Sequence, residues 1–93
     1  MKEIELFYLP NCPYCKNGQK AIEELQAENP AFRDIQIIRI DESREPAKAE
    51  SRDYWYVPTF FYGEKKLYEA QPGQDYDTIK ENIKNAFTFV TEI

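Results

Sequence analysis

The chain has no histidine, and only two cysteines, three glycines and one tryptophan in 93 residues. Without imidazole, a Cys/His catalytic pair and the usual Cys/His zinc sites are excluded. Any chemistry must therefore fall to thiols, carboxylates, hydroxyls or backbone. Basic excess is missing too: 12 Lys and Arg against 17 Asp and Glu leave a net charge of -5. That balance argues against nucleic acid, which is bound by a basic face. No apolar run approaches the roughly 20 residues needed to span a bilayer. The opening Met1-Lys2-Glu3-Ile4-Glu5-Leu6 carries acids where an export signal would be apolar. The expectation is a cytoplasmic protein with no membrane partner, in a compartment where isolated structural disulfides are unusual.

What remains is ordinary globular material. Seven Tyr and six Phe supply large side chains for one small core, and the length suits a single domain over residues 1–93. Residues 3–9 (EIELFYL) read as a strand closed by Pro10-Asn11. From Pro13, Ala21, Ile22 and Leu25 recur at helical spacing until Asn29-Pro30 stops the helix, and Gly18 within it marks close packing. The β-branched run at 35–40 (IQIIRI) reads as an interior strand buried on both faces and parallel to the first. Residues 41–53 are polar and suit a short helix capped by Ser43. TFFY (59–62) and KLYE (66–69) flank Gly63-Glu64-Lys65 as a hairpin. Asp75 or Asp77 then caps a last helix with Tyr76, Ile79, Ile83, Ala86, Phe87 and Val90 as its apolar stripe. The order is β-α-β-α-β-β-α.

Both cysteines lie in one stretch, Cys12-Pro13-Tyr14-Cys15, at the start of the first helix. Residues three apart share a helix face, close enough to adjust into a disulfide. Such a bridge closes a tiny loop and removes little entropy from the unfolded chain, so it is a poor staple. The helix N-terminus favours a thiolate at Cys12, and Lys16 and Lys20 add positive potential; Pro13 suits the first turn. Cys12 is thus the candidate nucleophile that forms a mixed disulfide, and Cys15 the thiol that resolves it. Three alternatives stand beside this one: a pair of buried core cysteines, a zinc site, and an iron–sulfur cluster shared across a dimer. Zinc needs four ligands, and the cluster needs ligands from a second chain or a small thiol.

Cys12-Pro13-Tyr14-Cys15, taken with Val57-Pro58-Thr59, resembles the dithiol glutaredoxins of the thioredoxin-like superfamily. The likeness in element order covers essentially the whole chain. It implies an α/β fold, a four-stranded mixed sheet flanked by three helices, and a cis Val57–Pro58 peptide against the redox pair. The bland alternative for Val57-Pro58 is a trans proline opening an edge strand. Thioredoxins carry Trp-Cys-Gly-Pro-Cys and an Asp six residues before the first cysteine; here that position is Leu6. The resemblance also implies a thiol–disulfide oxidoreductase without bound metal or organic cofactor. Glutathione enters as a possible co-substrate, held by Tyr14, the Val57 backbone, Gly73 and Asp75.

Some positions depart from the family. Leu9 stands where a lysine usually pairs with a glutathione carboxylate, and Trp55-Tyr56 where Arg-Thr is usual. Pro72 replaces the first glycine of the Gly-Gly-x-Asp segment. Each lost cationic hydrogen bond is worth about 1.5–3 kcal/mol toward an anionic ligand, with Lys16 or Arg52 as possible substitutes. Tyr54-Trp55-Tyr56 reads either as loop packing or as an apolar peptide platform. The sequence therefore points to a monomeric reductase of protein disulfides or glutathione mixed disulfides. Its electron source is glutathione or a flavoprotein reductase; the contrasting class is the dimeric cluster-binding module.

Overall fold

The acid–apolar alternation at the N-terminus becomes strand β1 (Lys2–Tyr8), in a computed structural model that describes residues 2–93. Ile4 and Leu6 bury on one face and Phe7 on the other, as the two-residue period of a strand requires. Helix α1 (Pro13–Glu28) returns over the first face and places Ala21, Ile22 and Leu25 in the core. Strand β2 (Ile35–Asp41) then pairs parallel with β1, from Lys2 opposite Ile35 to Tyr8 opposite Asp41. Strands β3 (Thr59–Tyr62) and β4 (Lys65–Glu69) form an antiparallel hairpin around Gly63, which has φ +60°. The sheet order is β2-β1-β3-β4, and β1 meets β3 antiparallel, so the sheet is mixed.

Helix α4 (Tyr76–Glu92) lies beside α1 on the same face. Asp75 caps it by accepting from the Thr78 N–H at 2.9 Å, and Ile79, Ile83, Ala86, Phe87 and Val90 are buried beneath it. The larger core therefore sits between the sheet and α1/α4. On the opposite face a smaller cluster gathers Phe7, Ile40 and Phe61, with Ile38, Ala49 and Tyr54 against it.

Two expectations are corrected and one is extended. The 35–40 strand is an edge of the sheet, not an interior strand: Gln36 and Arg39 are exposed while Ile35 and Ile40 are buried. Asn29-Pro30 ends one helix and starts another. The Asn29 side chain accepts from the Ala31 N–H at 3.0 Å, and a four-residue α2 (Pro30–Arg33) swings Phe32 into the core against Phe87, 5.5 Å between ring centroids. Ser43 caps nothing. Its N–H and hydroxyl both donate to Asp41 Oδ1, at 2.9 and 2.6 Å, and α3 (Pro46–Glu50) starts after Glu45 without a side-chain cap. Among the described residues no helix is long and apolar enough to cross a membrane.

Candidate active site

Chain reversal after β1 brings Cys12 to the N-cap of α1. Its φ of -87° and ψ of 123° are extended, and Pro13 opens the helix where no N–H partner is needed. In this position Cys12 Sγ accepts the otherwise orphaned Cys15 N–H at 3.3 Å. An anionic sulfur accepts such a bond more strongly than a thiol does. The Cys12 thiol also reaches the Val57 carbonyl oxygen at 3.8 Å. Both cysteines are free; Cys12 is partly exposed and Cys15 only 3% exposed. Burial pushes the Cys15 thiol up to about 12, and the charge of Glu42 acts in the same direction. One sulfur is accessible, the other shielded and held protonated.

The Val57–Pro58 peptide bond is cis. Pro58 is fully buried against α1, and Gly18 permits that contact: a Cβ there would stand 3.2 Å from Pro58 Cγ and 3.9 Å from Ile83 Cδ1. The close packing expected of Gly18 is thus a contact between the first helix and the Pro58 ring.

Of the residues singled out for glutathione, Tyr14 and Gly73 meet each other. The Gly73 N–H donates to the Tyr14 hydroxyl at 2.8 Å, in a loop where Gly73 takes φ +89°. The Asp75 carboxylate is occupied by Thr78 at the helix cap, and those hydrogen bonds hold it below the usual carboxylate range. Leu9 lines an open cavity of about 390 Å³ with Pro10, Asn11, Cys12 and Ser43. Lys16 is exposed and forms no ion pair among the described residues. Lys20 lies over the Tyr76 ring, 4.7 Å from its centroid. Arg52 pairs with Glu5 and covers the Phe61 ring at 5.0 Å, so its guanidinium already has a carboxylate partner.

Along Tyr54-Trp55-Tyr56 only the first ring is packed as the loop-packing reading expects. Tyr54 packs on Phe7 with centroids 5.3 Å apart and donates its hydroxyl to Glu42. Trp55 and Tyr56 are exposed, at 87% and 46%. Sequence reasoning missed the groups that hold this loop. The Trp55 and Tyr56 N–H groups both donate to Glu69 Oε2, at 2.7 and 2.8 Å, and the buried Thr59 hydroxyl donates to the Tyr56 carbonyl. Glu69 Oε1 in turn accepts from Lys66 at 2.8 Å. Burial acts to raise the Glu69 carboxyl, but Lys66 and the two backbone donors leave it below its ordinary range. Among the described residues, no group of three or more Cys, Asp or Glu side chains is placed to hold a metal ion.

No family model matches the chain. A thioredoxin of Methanocaldococcus jannaschii is 35% identical over 57 residues, which are 61% of this chain and 65% of that relative. The match thus spans just under two thirds of the relative's length. Among solved structures, a thioredoxin variant from Halobacterium salinarum aligns with TM-score 0.60 at 25% identity, over 98% of this chain and 75% of that one. Thioredoxin 1 of Thermosipho africanus aligns with TM-score 0.60 at 20% identity, over 94% and 96%. The fold is thioredoxin-like: a four-stranded mixed sheet with helices against it, and a pair of cysteines at C-x-x-C spacing where the first helix begins.

Proposed function

We propose that the chain is a dithiol–disulfide oxidoreductase that reduces disulfides in other proteins. The observation that carries this reading is the inequality of the two sulfurs: Cys12 accessible at the helix start and bonded by the Cys15 N–H, Cys15 buried and kept protonated. In the reaction, the Cys12 thiolate attacks one sulfur of a substrate disulfide, and the other substrate sulfur leaves as a thiolate that takes a proton from water. Cys15 then gives its proton to water and attacks Cys12 Sγ, expelling the second substrate sulfur as a thiolate that takes a proton back from water. Two electrons have passed to the substrate, and Cys12–Cys15 is left as a disulfide. No bound cofactor takes part. Such work belongs in a reducing cytoplasm.

The source of the returning electrons separates a glutaredoxin from a thioredoxin. Cys12-Pro13-Tyr14-Cys15 is the glutaredoxin pattern. The contacts expected for glutathione favour the other reading: Gly73 N–H belongs to Tyr14, Asp75 to its helix, Arg52 to Glu5, and Leu9 carries no charge. A flavoprotein reductase acting on the Cys12–Cys15 disulfide is therefore the proposed donor, with a monomer as the working unit. A cluster-binding module would have to draw its remaining ligands from another molecule.

The test follows NADPH consumption with a protein disulfide as substrate. One assay supplies a thioredoxin reductase and the other glutathione with its own reductase. The reductase-coupled rate should exceed the glutathione-coupled rate by about tenfold, the effect of one missing charged contact. An equal or faster glutathione rate would return the chain to the glutaredoxin mode. Cys12→Ser should abolish turnover in both assays, while Cys15→Ser should accumulate mixed disulfide. Full activity in Cys12→Ser would dismiss the whole reading.

A further inference from the structure

An 87% exposed tryptophan is unusual on a small domain, because its large apolar surface gains most from burial. Trp55 is also held in an unusual way. Its own N–H and that of Tyr56 share one oxygen of Glu69, while the Tyr56 carbonyl takes the hydroxyl of fully buried Thr59. Glu69 and Thr59 face each other across the β3–β4 ladder, so these three bonds anchor the loop to the sheet. Next in sequence comes Val57, whose carbonyl meets the Cys12 sulfur at 3.8 Å. Two residues span at most about 7 Å, so the Trp55 backbone cannot lie far from the reacting thiol. The loop backbone is thus fixed beside Cys12 while its largest side chain faces solvent.

We infer that Glu69 is a positioning residue that sets specificity: it fixes the Trp55 backbone so that the ring stands out as an aromatic anchor for the polypeptide that flanks a substrate disulfide. Exposed aromatic side chains on a pre-ordered backbone give large contact area at small entropic cost, and such anchors dominate recognition. The occupant is an extended polypeptide with an apolar side chain near its half-cystine. A small disulfide that reaches only Cys12 gains nothing from Trp55. Because the Glu69 carboxylate satisfies two N–H groups with one oxygen, its removal leaves both donors without a protein partner and takes away two of the three bonds that hold the loop. The inference rests on the disulfide-reductase reading and adds the substrate class and the residue that selects it.

The experiment measures kcat and KM for two disulfides, insulin and 2-hydroxyethyl disulfide, with dithiothreitol returning the electrons. Trp55→Ala should lower the ratio of the two kcat/KM values about tenfold against the small disulfide, through a higher KM for insulin. Glu69→Ala should lower the same ratio by a similar factor, and the Trp55→Ala/Glu69→Ala double variant little further, since one residue acts through the other. Glu69→Gln keeps an acceptor oxygen and should restore most of the ratio even if Glu69→Ala folds poorly. An unchanged ratio in Trp55→Ala would overturn the inference. So would a Glu69→Ala effect of equal size on both substrates, or multiplying effects in the double variant. A wild-type protein that reduces neither disulfide would overturn the reductase reading beneath it, a result recognisable without any variant.

Discussion

Gly18→Ala sets two opposed effects against each other at a single methyl group. In a helix interior, alanine is favoured over glycine by about 1 kcal/mol. Alone, that gain would raise the melting temperature of a domain this size by about 4–8 °C. The methyl would stand 3.2 Å from Pro58 Cγ, against 3.4–4 Å for an ordinary contact. A proline ring cannot rotate out of the way. The residue is fully buried, and its carbonyl is tied to the Ala70 N–H at 3.0 Å. Overpacking of this kind costs about 1–3 kcal/mol, so the net expectation is a loss of roughly 1 kcal/mol rather than a gain. The displacement also has a direction, from α1 toward the strand that begins at Thr59, and it moves Val57 relative to Cys12. Urea unfolding with a parallel insulin-reduction assay reads both effects. The variant should be less stable and slower. A variant stabilised by the full propensity gain with unchanged turnover would show that the contact between α1 and Pro58 constrains nothing.

Two further outcomes follow from the site. The folded-state pKa of Cys15 is raised from 9.0 to about 12, chiefly by burial. Above the unfolded value the unfolded chain loses this proton while the native one keeps it, so the contribution to stability is present below pH 9 and is lost as pH rises toward 12. Denaturation from about pH 8 to pH 10 should thus cost the wild type about 1 kcal/mol more than Cys15→Ala; parallel curves for the two proteins would contradict the burial of Cys15. Leu9→Lys sets an ammonium on the rim of the cavity beside Cys12. It should raise the glutathione-coupled rate about tenfold with little effect on the reductase-coupled rate; no response would remove Leu9 as the reason for discrimination.

The sequence made the cysteine pair readable because its information is local. Spacing, Pro13 and the helix start together specify an N-cap sulfur and its partner one turn on. Gly18 was equally readable, since a glycine amid helix formers needs a packing reason, and Pro58 supplies it. β2 shows where local reading stops. A run of isoleucines suits an interior strand and an edge strand alike, and only Gln36 and Arg39, one on each face, hinted at water along this strand. At 29–30 the residue pair that breaks one helix has the chemistry to begin the next, because proline at a first helical position needs no N–H partner. Ser43 stands two residues before Glu45, the position where α3 is entered, and its hydroxyl is turned to Asp41, so its oxygen accepts from no helix N–H. Glu69 was the least legible group of all. Its role depends on the pairing of Thr59 with Glu69 and on a loop more than ten residues away, which no local pattern encodes.

The two faces of the sheet are covered unequally. The α1/α4 face has two long helices, whereas Phe7, Ile40 and Phe61 lie under Tyr54, Ala49 and a five-residue helix with no buried residue of its own. The segment from Glu42 to Tyr56 therefore forms the thin roof of the domain, and the same segment carries Trp55 and leads into Val57. Native proteins open first where few apolar contacts hold the backbone. In this chain such a sub-global opening would uncover the smaller core, while the bonds to Glu69 and Thr59 kept Trp55 and Tyr56 on the sheet and the cysteine helix stayed docked on the larger core. Reactivity at Cys12 and the surface offered beside it would thus outlast the opening of the roof, because both are held by the sheet and the larger core.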